Sequence, residues 1–390
     1  MAGSHAGIIP ACLFSLLCLA VASPASGATG ERAADRALDR ALENLVRLPE
    51  GPPGAIAVIQ RGGKRNVHTA GVANVETAAP LRAGDHMRIA SVSKAFSGAL
   101  ALAMVDQGVL SLEDTIGELL PDLPPTWHPM TLRQLLQHTS GMPDYTQAPG
   151  FADALADSPE AAPPPAALLD YAAGVPLSFP PGTGYKYSNS ENIAVAMMVE
   201  AVTGASYEHA VRVKVSAPLD LRRTGMPQGI LIPDPFIHGY LWDQGIAQDY
   251  SQWFPPLDGG VAWGGWAWAS GGMVSTPADL NRFARGYASG RLFGPGVQQE
   301  QTQFLDGGES DPPGPGNNAA GLGVFRYRTR CGTVVGHTGS IPAGYTQFAA
   351  STPNGRRSAT FTITIQFTDE ILPALRRAEA RAVCAALAGR

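Results

Sequence analysis

A serine and a lysine stand three residues apart in the segment 91–94, which reads SVSK. At this spacing on a helix, Ser91 and Lys94 project from the same face. A serine hydroxyl is a weak nucleophile that needs a neighbouring base, and a lysine can be that base when burial lowers its pKa. The pair therefore predicts nucleophilic attack by Ser91, with Lys94 as its activating partner.

The residues around this pair predict that it lies at the start of a buried helix. The segment 91–107 (SVSKAFSGALALAMVDQ) is apolar on nearly every side and is followed by Gly108. A helix of this kind is buried, and a buried lysine is uncommon without a functional reason. The free amide groups at the helix start could also meet a developing oxyanion. Of the four lysines in the sequence, only Lys94 has a serine three residues before it, which makes a chance pairing the weaker interpretation.

Two further segments carry polar groups beside glycines. The first, 180–189 (PPGTGYKYSN), is a predicted loop ahead of a helix, where Tyr187 could pass a proton and Asn189 could bind both a lysine and a substrate amide. The second, 336–340 (GHTGS), ends a predicted strand, where His337 could supply charge or a proton and Thr338 a hydroxyl. Each also has an ordinary structural interpretation, as a helix cap for Asn189 and as a structural histidine for His337.

The elements that must position these groups can be predicted from periodicity and turn residues. Predicted helices cover 32–48, 91–107, 131–137, 193–203, 276–287 and 371–387, and predicted strands cover 55–60, 66–73, 333–337, 345–351 and 358–367. The Gly- and Pro-rich segment 306–320 is predicted to be a connection. The pattern indicates a mixed α+β fold with one antiparallel five-stranded sheet and helices on both faces. A mainly helical lobe, about residues 110–260, is inserted into this α/β part, and the cleft between the two parts is the expected site.

Composition and motifs narrow the function classes. With 390 residues, a net charge of −5 and 45% hydrophobic residues, the chain is typical of a soluble globular enzyme, predicted to be a monomer. A mildly acidic chain lacks the clustered positive charge that binds nucleic acid or anchors a protein at an anionic membrane surface. Neither kind of partner is therefore predicted. The zinc motifs His-x-His and His-Glu-x-x-His are absent, as is the Gly-x-Ser-x-Gly elbow. No metal or other cofactor is therefore predicted.

The first residues predict export. An apolar run over 8–22 (IIPACLFSLLCLAVA) precedes small residues, which indicates a signal peptide over 1–28 and a secreted or extracytoplasmic protein. Cleavage would remove Cys12 and Cys18 and leave Cys331 and Cys384. Two cysteines in an exported protein predict one disulfide, and the alternative is a pair of buried free thiols.

The order Ser-x-x-Lys, Tyr-Ser-Asn, His-Thr-Gly resembles the serine β-lactamase and penicillin-binding D,D-peptidase superfamily. Within it, the chain looks like the branch of class C β-lactamases and D-alanyl-D-alanine carboxypeptidases. The segments 87–94 (MRIASVSK), 131–142 (TLRQLLQHTSGM) and 270–276 (SGGMVST) look like this branch too. The resemblance spans about residues 33–388 and implies a β-lactamase/transpeptidase-like fold.

The resemblance also implies a role for each candidate residue. Ser91 would attack a carbonyl and become acylated, while Lys94 and Tyr187 would share proton transfer, with the identity of the base left open. Asn189 would orient Lys94 and the substrate amide.

His337 stands where many members of the superfamily carry a lysine, so it would act through its charge or a proton, next to Thr338 in the substrate site. The backbone N–H groups of Ser91 and Ser340 would form the oxyanion hole.

The substrate depends on one further residue. The resemblance favours a D-alanyl-D-alanine carboxypeptidase-like activity on peptidoglycan-type peptides, which requires a cation for a terminal carboxylate, and an arginine near Phe325 is the expected clamp. Strand alternation instead puts Phe325 and Tyr327 on one face and Arg326 and Arg328 on the other. A β-lactam, an ester or a D-amino-acid peptide are the alternative substrates, and a non-catalytic binder of cell-wall peptide is a third hypothesis.

Tryptophans cluster ahead of Ser270, at positions 242, 253, 263, 266 and 268. They could wall the cleft and select the acyl side of a substrate, or they could pack in the core.

Overall fold

The computed structural model describes residues 1, 3, 24–227, 231–251, 264–342 and 344–389. Its helices are α1 (Pro24–Val46), α2 (Ser93–Asp106), α3 (Ile116–Leu119), α4 (Leu132–Gln137), α5 (Phe151–Asp157), α6 (Pro165–Ala173), α7 (Asn189–Thr203), α8 (Tyr207–Val211), α9 (Gly264–Gly271), α10 (Pro277–Ala288), α11 (Pro295–Gln301) and α12 (Leu372–Leu387). Its strands are β1 (Gly54–Arg61), β2 (Lys64–Gly71), β3 (Met87–Arg88), β4 (Tyr240–Asp243), β5 (Ile246–Asp249), β6 (Val274–Ser275), β7 (Leu305–Asp306), β8 (Asn317–Ala320), β9 (Phe325–Thr329), β10 (Gly332–Ile341), β11 (Tyr345–Ser351) and β12 (Arg357–Ile363).

Most of the predicted signal peptide, residues 1–28, lies outside the described residues. It therefore stays a prediction. Within the described ranges, every helix is too short or too polar to cross a membrane.

The main sheet is antiparallel, with strand order β2-β1-β12-β11-β10-β9-β8-β7. The five predicted strands are neighbours in it, from β2 to β10, which confirms the mixed α+β class. Beyond β10 the sheet has three more strands than predicted. Two of them, β7 and β8, span only 305–306 and 317–320 at the ends of the Gly- and Pro-rich connection, and they carry no apolar alternation. Pairing with the neighbouring strand, rather than local sequence, makes them strands.

The two faces of the sheet are covered by different helices. Helices α1 and α12 pack together and against β1, β2 and β12, while α10 packs on the opposite face. Alternation along β1 follows this division, because Ala55, Ala57 and Ile59 join the core under α12 and Ile56 joins the core of the helical side. The predicted disulfide is confirmed, since Cys331, in the turn before β10, is bonded to Cys384 in α12 with their Cα atoms 5.2 Å apart.

The helices α2 to α9 lie between β3 and β6 in the chain, with the two-stranded β4–β5 sheet between α8 and α9. Helix α2 is buried over 93–104 and packs against α7 and α9. The predicted helix 91–107 is in fact a 3₁₀ turn, Ala90–Val92, followed by α2. The predicted lobe of about 110–260 falls within this helical span, and its end lies in residues 252–263, outside the described part of the chain.

Candidate active site

Ser91 lies at the floor of a cleft of about 530 Å³, which we call the Ser91 cleft. Three local features set its position. Strand β3 pairs with β6 and the Ile89 N–H donates to the Met273 carbonyl at 3.1 Å. Ala90 then takes the left-handed φ of 48°, which is uncommon for a residue with a side chain. The sharp change of direction places Ser91 in the 3₁₀ turn ahead of α2, with its side chain partly exposed to the cleft.

Lys94 is 1% exposed and directs its ammonium group at three oxygens. Its Nζ donates to Ser91 Oγ at 3.1 Å, to Asn189 Oδ1 at 2.7 Å and to the Ser270 carbonyl at 2.7 Å. Burial lowers the pKa of Lys94 to about 7, and the more distant carboxylates of Asp144 and Asp311 only partly oppose this fall. The structure thus brings Ser91 and Lys94 into hydrogen-bond contact and makes the neutral amine accessible near neutral pH.

Asn189 begins α7 and is held by a buried carboxylate. Its backbone N–H and Nδ2 both donate to Asp144 Oδ2, at 3.0 and 2.9 Å. The other Asp144 oxygen accepts from Thr146 N and Thr146 Oγ1, at 2.9 and 2.8 Å. These bonds fix the amide so that its oxygen faces Lys94. The helix cap that the structural interpretation placed at Asn189 lies instead at Ser188, which makes no side-chain cap bond.

Tyr187 lines the Ser91 cleft with its ring and has a buried hydroxyl. Lys94 Nζ is 5.0 Å from the ring centroid. The hydroxyl makes no hydrogen bond within the described residues, although the Ser91 hydroxyl is near enough to lower its pKa somewhat. Burial is the larger influence and raises the pKa of Tyr187 well above its usual range. Tyr187 is therefore a protonated donor at neutral pH.

Gly339 lets strand β10 approach the backbone of Ser91. A Cβ at this position would come within 2.8 Å of the Ser91 nitrogen and 2.9 Å of the Val92 nitrogen, both of them backbone atoms. Only a residue without a side chain fits such an approach. The next residue, Ser340, lines the cleft, so two stretches of backbone that could offer N–H groups lie side by side near Ser91.

His337 and Thr338 do not line the Ser91 cleft, in contrast to the sequence prediction. His337 is 1% exposed, lies edge-on to Phe325 with ring centroids 5.0 Å apart, and has its Nδ1 on the carbonyl of Thr338. Burial, together with the charge of Lys94, lowers the pKa of His337 to about 3. Of the two roles expected for His337, through its charge or through a proton, the lowered pKa argues against the first, because the imidazole is neutral at neutral pH.

Thr338 points to the opposite side of β10 from His337, and its hydroxyl is already engaged. It is fully buried, and its Oγ1 donates to the Pro312 carbonyl at 2.6 Å. The connection that contains Pro312 is further held by Tyr185 Oη, which donates to the Glu309 carbonyl at 2.5 Å. Thr338 therefore holds the connection at the cleft rather than offering its hydroxyl to a substrate.

This connection brings two carboxylates to the mouth of the cleft that sequence analysis missed, Glu309 and Asp311. Asp311 is exposed at the rim, yet its carboxyl lies deep enough among protein atoms for burial to raise its pKa, which the charge of Lys94 opposes. Lys186 is the exposed cation among the described lining residues. The mouth is therefore more acidic than basic.

The expected arginine clamp is absent from the described lining of the cleft. As alternation predicted, Phe325 and Tyr327 are buried while Arg326 and Arg328 lie on the other face. Arg326 pairs with Asp306 and lies over the ring of Phe304, 5.0 Å from its centroid. The undescribed segments inside the chain between residues 24 and 389, namely 228–230, 252–263 and 343, contain no arginine or lysine.

The tryptophans divide between core and undescribed residues. Trp266 and Trp268 are 4% and 9% exposed and donate to the Ser158 carbonyl and to Glu208, respectively. Trp242 donates to the Gly51 carbonyl, away from Ser91. These three tryptophans therefore pack against other parts of the protein and do not line the cleft. The two at 253 and 263 lie outside the described residues.

The residues that sequence analysis missed share one property, namely that each reaches the site from a distant part of the chain. The Ser270 carbonyl, Asp144, Glu309 and Asp311 lie between 50 and 220 positions from Lys94. The sequence held one weak indication that Asp144 belongs to the site. It lies two positions after the segment 131–142, which resembles the corresponding segment of the superfamily.

Three comparisons bear on this arrangement. A family model described as Beta-lactamase matches residues 38–383. Penicillin-binding protein 4* of Bacillus subtilis is 29% identical over 49% of this chain and 42% of its own length, and a D-aminopeptidase of Cereibacter sphaeroides is 29% identical over 57% and 41%. The chain thus spans less than half the length of these relatives. A solved structure of a D-stereospecific amidohydrolase from Streptomyces sp. superposes with a TM-score of 0.75 at 28% identity, over 88% of this chain and 98% of the other.

Proposed function

Because this chain belongs to the beta-lactamase family and is a serine hydrolase, we propose that it forms an acyl-enzyme on Ser91 and acts on amides or short peptides of D-amino acids that carry a free amino group. The family membership supports the chemistry. The relatives named as a D-aminopeptidase and a D-stereospecific amidohydrolase support the class of substrate. The charge at the mouth of the Ser91 cleft supports the free amino group.

Acylation begins at the Ser91–Lys94 contact. The neutral amine of Lys94, 3.1 Å from Ser91 Oγ, takes the hydroxyl proton as the oxygen attacks the substrate carbonyl. The oxyanion that forms accepts hydrogen bonds from the N–H groups of Ser91 and Ser340. Asn189 keeps Lys94 in place through its Oδ1.

The leaving amine then needs a proton. Tyr187 supplies it as a buried hydroxyl that remains protonated at neutral pH, and Lys94 returns the proton to Tyr187. The carbon–nitrogen bond breaks and the acyl group stays on Ser91. Water attacks this ester in the second half, with Lys94 again accepting a proton and Ser91 leaving with one.

The acidic mouth is the single observation that carries the choice of substrate. Asp311 and Glu309 outnumber Lys186 there, and the described lining has no arginine. A carboxylate attracts an ammonium group and repels the terminal carboxylate that a D,D-carboxypeptidase must hold. The geometry therefore supports an aminopeptidase-like or amidase-like substrate better than the carboxypeptidase substrate expected from sequence.

A substrate panel tests the proposal. D-Alanine p-nitroanilide should be hydrolysed with a kcat/KM at least about 10-fold above that of its N-acetylated form and of an acylated D-alanyl-D-alanine peptide, since one charge contact at a partly desolvated site contributes about 1–2 kcal/mol. Asp311→Asn should remove most of this preference. Asp306→Asn is the matched control, because Asp306 lies in the same part of the chain but pairs with Arg326 outside the cleft. A preference for the D-alanyl-D-alanine peptide that Asp311→Asn leaves unchanged would overturn the substrate proposal.

Export is a further part of the proposal. The Cys331–Cys384 disulfide supports it, because disulfides persist in oxidising compartments. Expression of the full-length chain with a reporter fused at its C-terminus, followed by cell fractionation, tests it. Reporter activity confined to the cytoplasm would contradict export.

A further inference from the structure

A buried pair outside the lining of the Ser91 cleft contacts Tyr187 and has no part in the mechanism above. His138 and Glu191 are 3% and 0% exposed, and His138 Nδ1 is hydrogen-bonded to one carboxyl oxygen of Glu191. The other Glu191 oxygen accepts from Ser140 Oγ at 2.6 Å. Burying a carboxyl group costs free energy unless it is hydrogen-bonded, and both oxygens of Glu191 are hydrogen-bonded here.

The pair reaches Tyr187 through ring contact. The His138 and Tyr187 ring centroids are 4.4 Å apart with the planes tilted by 37°. Phe325 lies beyond, stacked with His138 at 6.1 Å and 6.5 Å from Tyr187. The imidazole therefore forms one wall against which the Tyr187 ring rests, while Glu191 and Ser140 hold the imidazole.

The backbone of the same segment holds the loop that carries Tyr187. His138 ends α4 in the left-handed conformation, with φ 59°, and its carbonyl accepts from Lys186 N at 3.0 Å, one residue before Tyr187. Thr139 O accepts from Gly182 N at 2.8 Å, and Gly141 O accepts from Ser178 N at 2.9 Å. Segment 138–141 is thus bonded to three places along the loop 178–187.

The pair is neutral in the arrangement that the structure shows. Burial lowers the pKa of His138 to about 3 and raises the pKa of Glu191 well above its usual range, so that the shared proton rests on the carboxyl group. The titratable groups that act on the pair are Lys94 and Asp144, while Tyr185 lies edge-on to His138 and His337 lies near it. An ionised Glu191 would raise the pKa of Lys94, so a neutral pair helps to keep Lys94 a base at neutral pH.

We propose that His138 and Glu191 are positioning residues for proton transfer, which as a hydrogen-bonded pair hold the Tyr187 ring beside Ser91. The inference rests on the proposed function of Ser91 and Tyr187. The proposal gives His138 and Glu191 a role in kcat, the rate of the chemical steps, and none in substrate binding.

Three substitutions separate the ring contact from the hydrogen bonds. His138→Asn removes the ring but keeps a residue that tolerates the left-handed backbone. Glu191→Gln keeps the size of the side chain and its neutral state, with an N–H donor for His138 and an oxygen acceptor for Ser140. Glu191→Ala removes both hydrogen bonds. Glu200→Gln is the matched control on the same helix, because Glu200 accepts from Tyr207 N away from the Ser91 cleft.

The assay is hydrolysis of D-alanine p-nitroanilide, whose amine leaves only with a proton, with Ser91→Ala as background and thermal unfolding as the check on folding. His138→Asn and Glu191→Ala should lower kcat by about 10- to 100-fold with KM changed by less than about 3-fold, since they misplace a proton donor without touching the substrate. Glu191→Gln should stay within about 3-fold of wild type with the same pH profile.

Two results would overturn the proposal. The first is a folded His138→Asn variant with the kcat of wild type. The second is a Glu191→Gln variant as slow as Glu191→Ala, which would show that an ionised carboxylate is needed; this comparison decides the matter even if His138→Asn fails to fold. A wild-type rate equal to that of Ser91→Ala would overturn the proposed function itself and is thereby distinguished from either result.

Discussion

Lys94 should titrate near neutral pH, so the rate of acylation of Ser91 should rise through a pH of about 7 and then level off. The ordinary pKa of a lysine, 10.5, falls to about 7 here because the ammonium group is 1% exposed and the opposing carboxylates are not in contact with it. Only the neutral amine can accept the Ser91 proton. The neutral fraction therefore sets the rate.

The size of the effect follows from the titration. With a pKa of about 7, the neutral fraction is about 1% at pH 5 and about 90% at pH 8, so acylation should be about 90-fold faster at the higher pH. With an unshifted lysine, the rate would instead keep rising by about tenfold per pH unit up to about pH 10. The same continued rise is expected if the base were Tyr187, whose pKa lies well above its usual range.

Single-turnover acylation by an uncharged p-nitrophenyl ester measures this step without titrating the substrate or engaging Asp311. Ser91→Ala supplies the background rate at each pH. A profile that reaches its plateau by about pH 8 supports Lys94 as the base. A rate that still rises tenfold per unit above about pH 9 would refute the reasoning and favour Tyr187.

The lowered pKa of Lys94 should also make the free energy of unfolding depend on pH. Because the folded pKa of Lys94 lies below its unfolded value, the unfolded chain binds more protons between a pH of about 7 and about 10.5, and folding is favoured as the pH rises through that window. In Lys94→Met this contribution is missing. The free energy of unfolding of wild type, measured in urea, should gain about 1.4 kcal/mol per pH unit relative to Lys94→Met between about pH 7.5 and 9.5. Parallel curves for the two proteins would show that the pKa of Lys94 is not lowered.

Three further predictions concern residues around the site. Reducing the disulfide, or substituting Cys384→Ala, should lower the free energy of unfolding by about 4 kcal/mol as seen in urea titration, because the bridge joins residues 53 positions apart; an unchanged midpoint would contradict this. Gly339→Ala should lower kcat/KM by about 100-fold while the far-UV circular dichroism is kept, since its Cβ would come within 2.8 Å of the Ser91 nitrogen; full activity would show that β10 can move away. His337→Gln should leave the pH profile of ester hydrolysis unchanged between about pH 5 and 9, because the pKa of His337 is about 3 and the imidazole is neutral throughout; a displaced alkaline limb would restore the charged role expected from sequence.

The local part of the site was open to prediction from sequence. Ser91 and Lys94 are three residues apart, and helical geometry alone brings such residues to one face. Alternation likewise placed Phe325 and Tyr327 on the buried face and Arg326 and Arg328 on the other, and the structure shows this division. Apolar periodicity also located five of the eight strands described in the main sheet and six of the twelve described helices, because it reports which face an element buries.

Residues whose role depends on a partner elsewhere in the chain were beyond such reasoning. His337 looks from sequence like a cation at the end of a strand. It becomes a neutral, enclosed ring only because Phe325, Tyr187 and Lys94 surround it. From sequence, Thr338 resembles a residue that binds substrate. In the structure, the connection 306–320 lies against it and its hydroxyl donates to the Pro312 carbonyl.

The sequence by itself predicted the chemistry proposed for this protein, since the proposed nucleophile, Ser91, and its proposed base, Lys94, are neighbours in the chain and their helix is apolar. The tertiary structure alone decided what surrounds that chemistry. Asp144 reaches Asn189 across 45 positions, His138 reaches Glu191 across 53, and Asp311 reaches the cleft through a connection without periodicity. Contacts over such separations depend on how the whole chain packs, and the pKa values that they set depend on burial, which no local pattern of residues encodes.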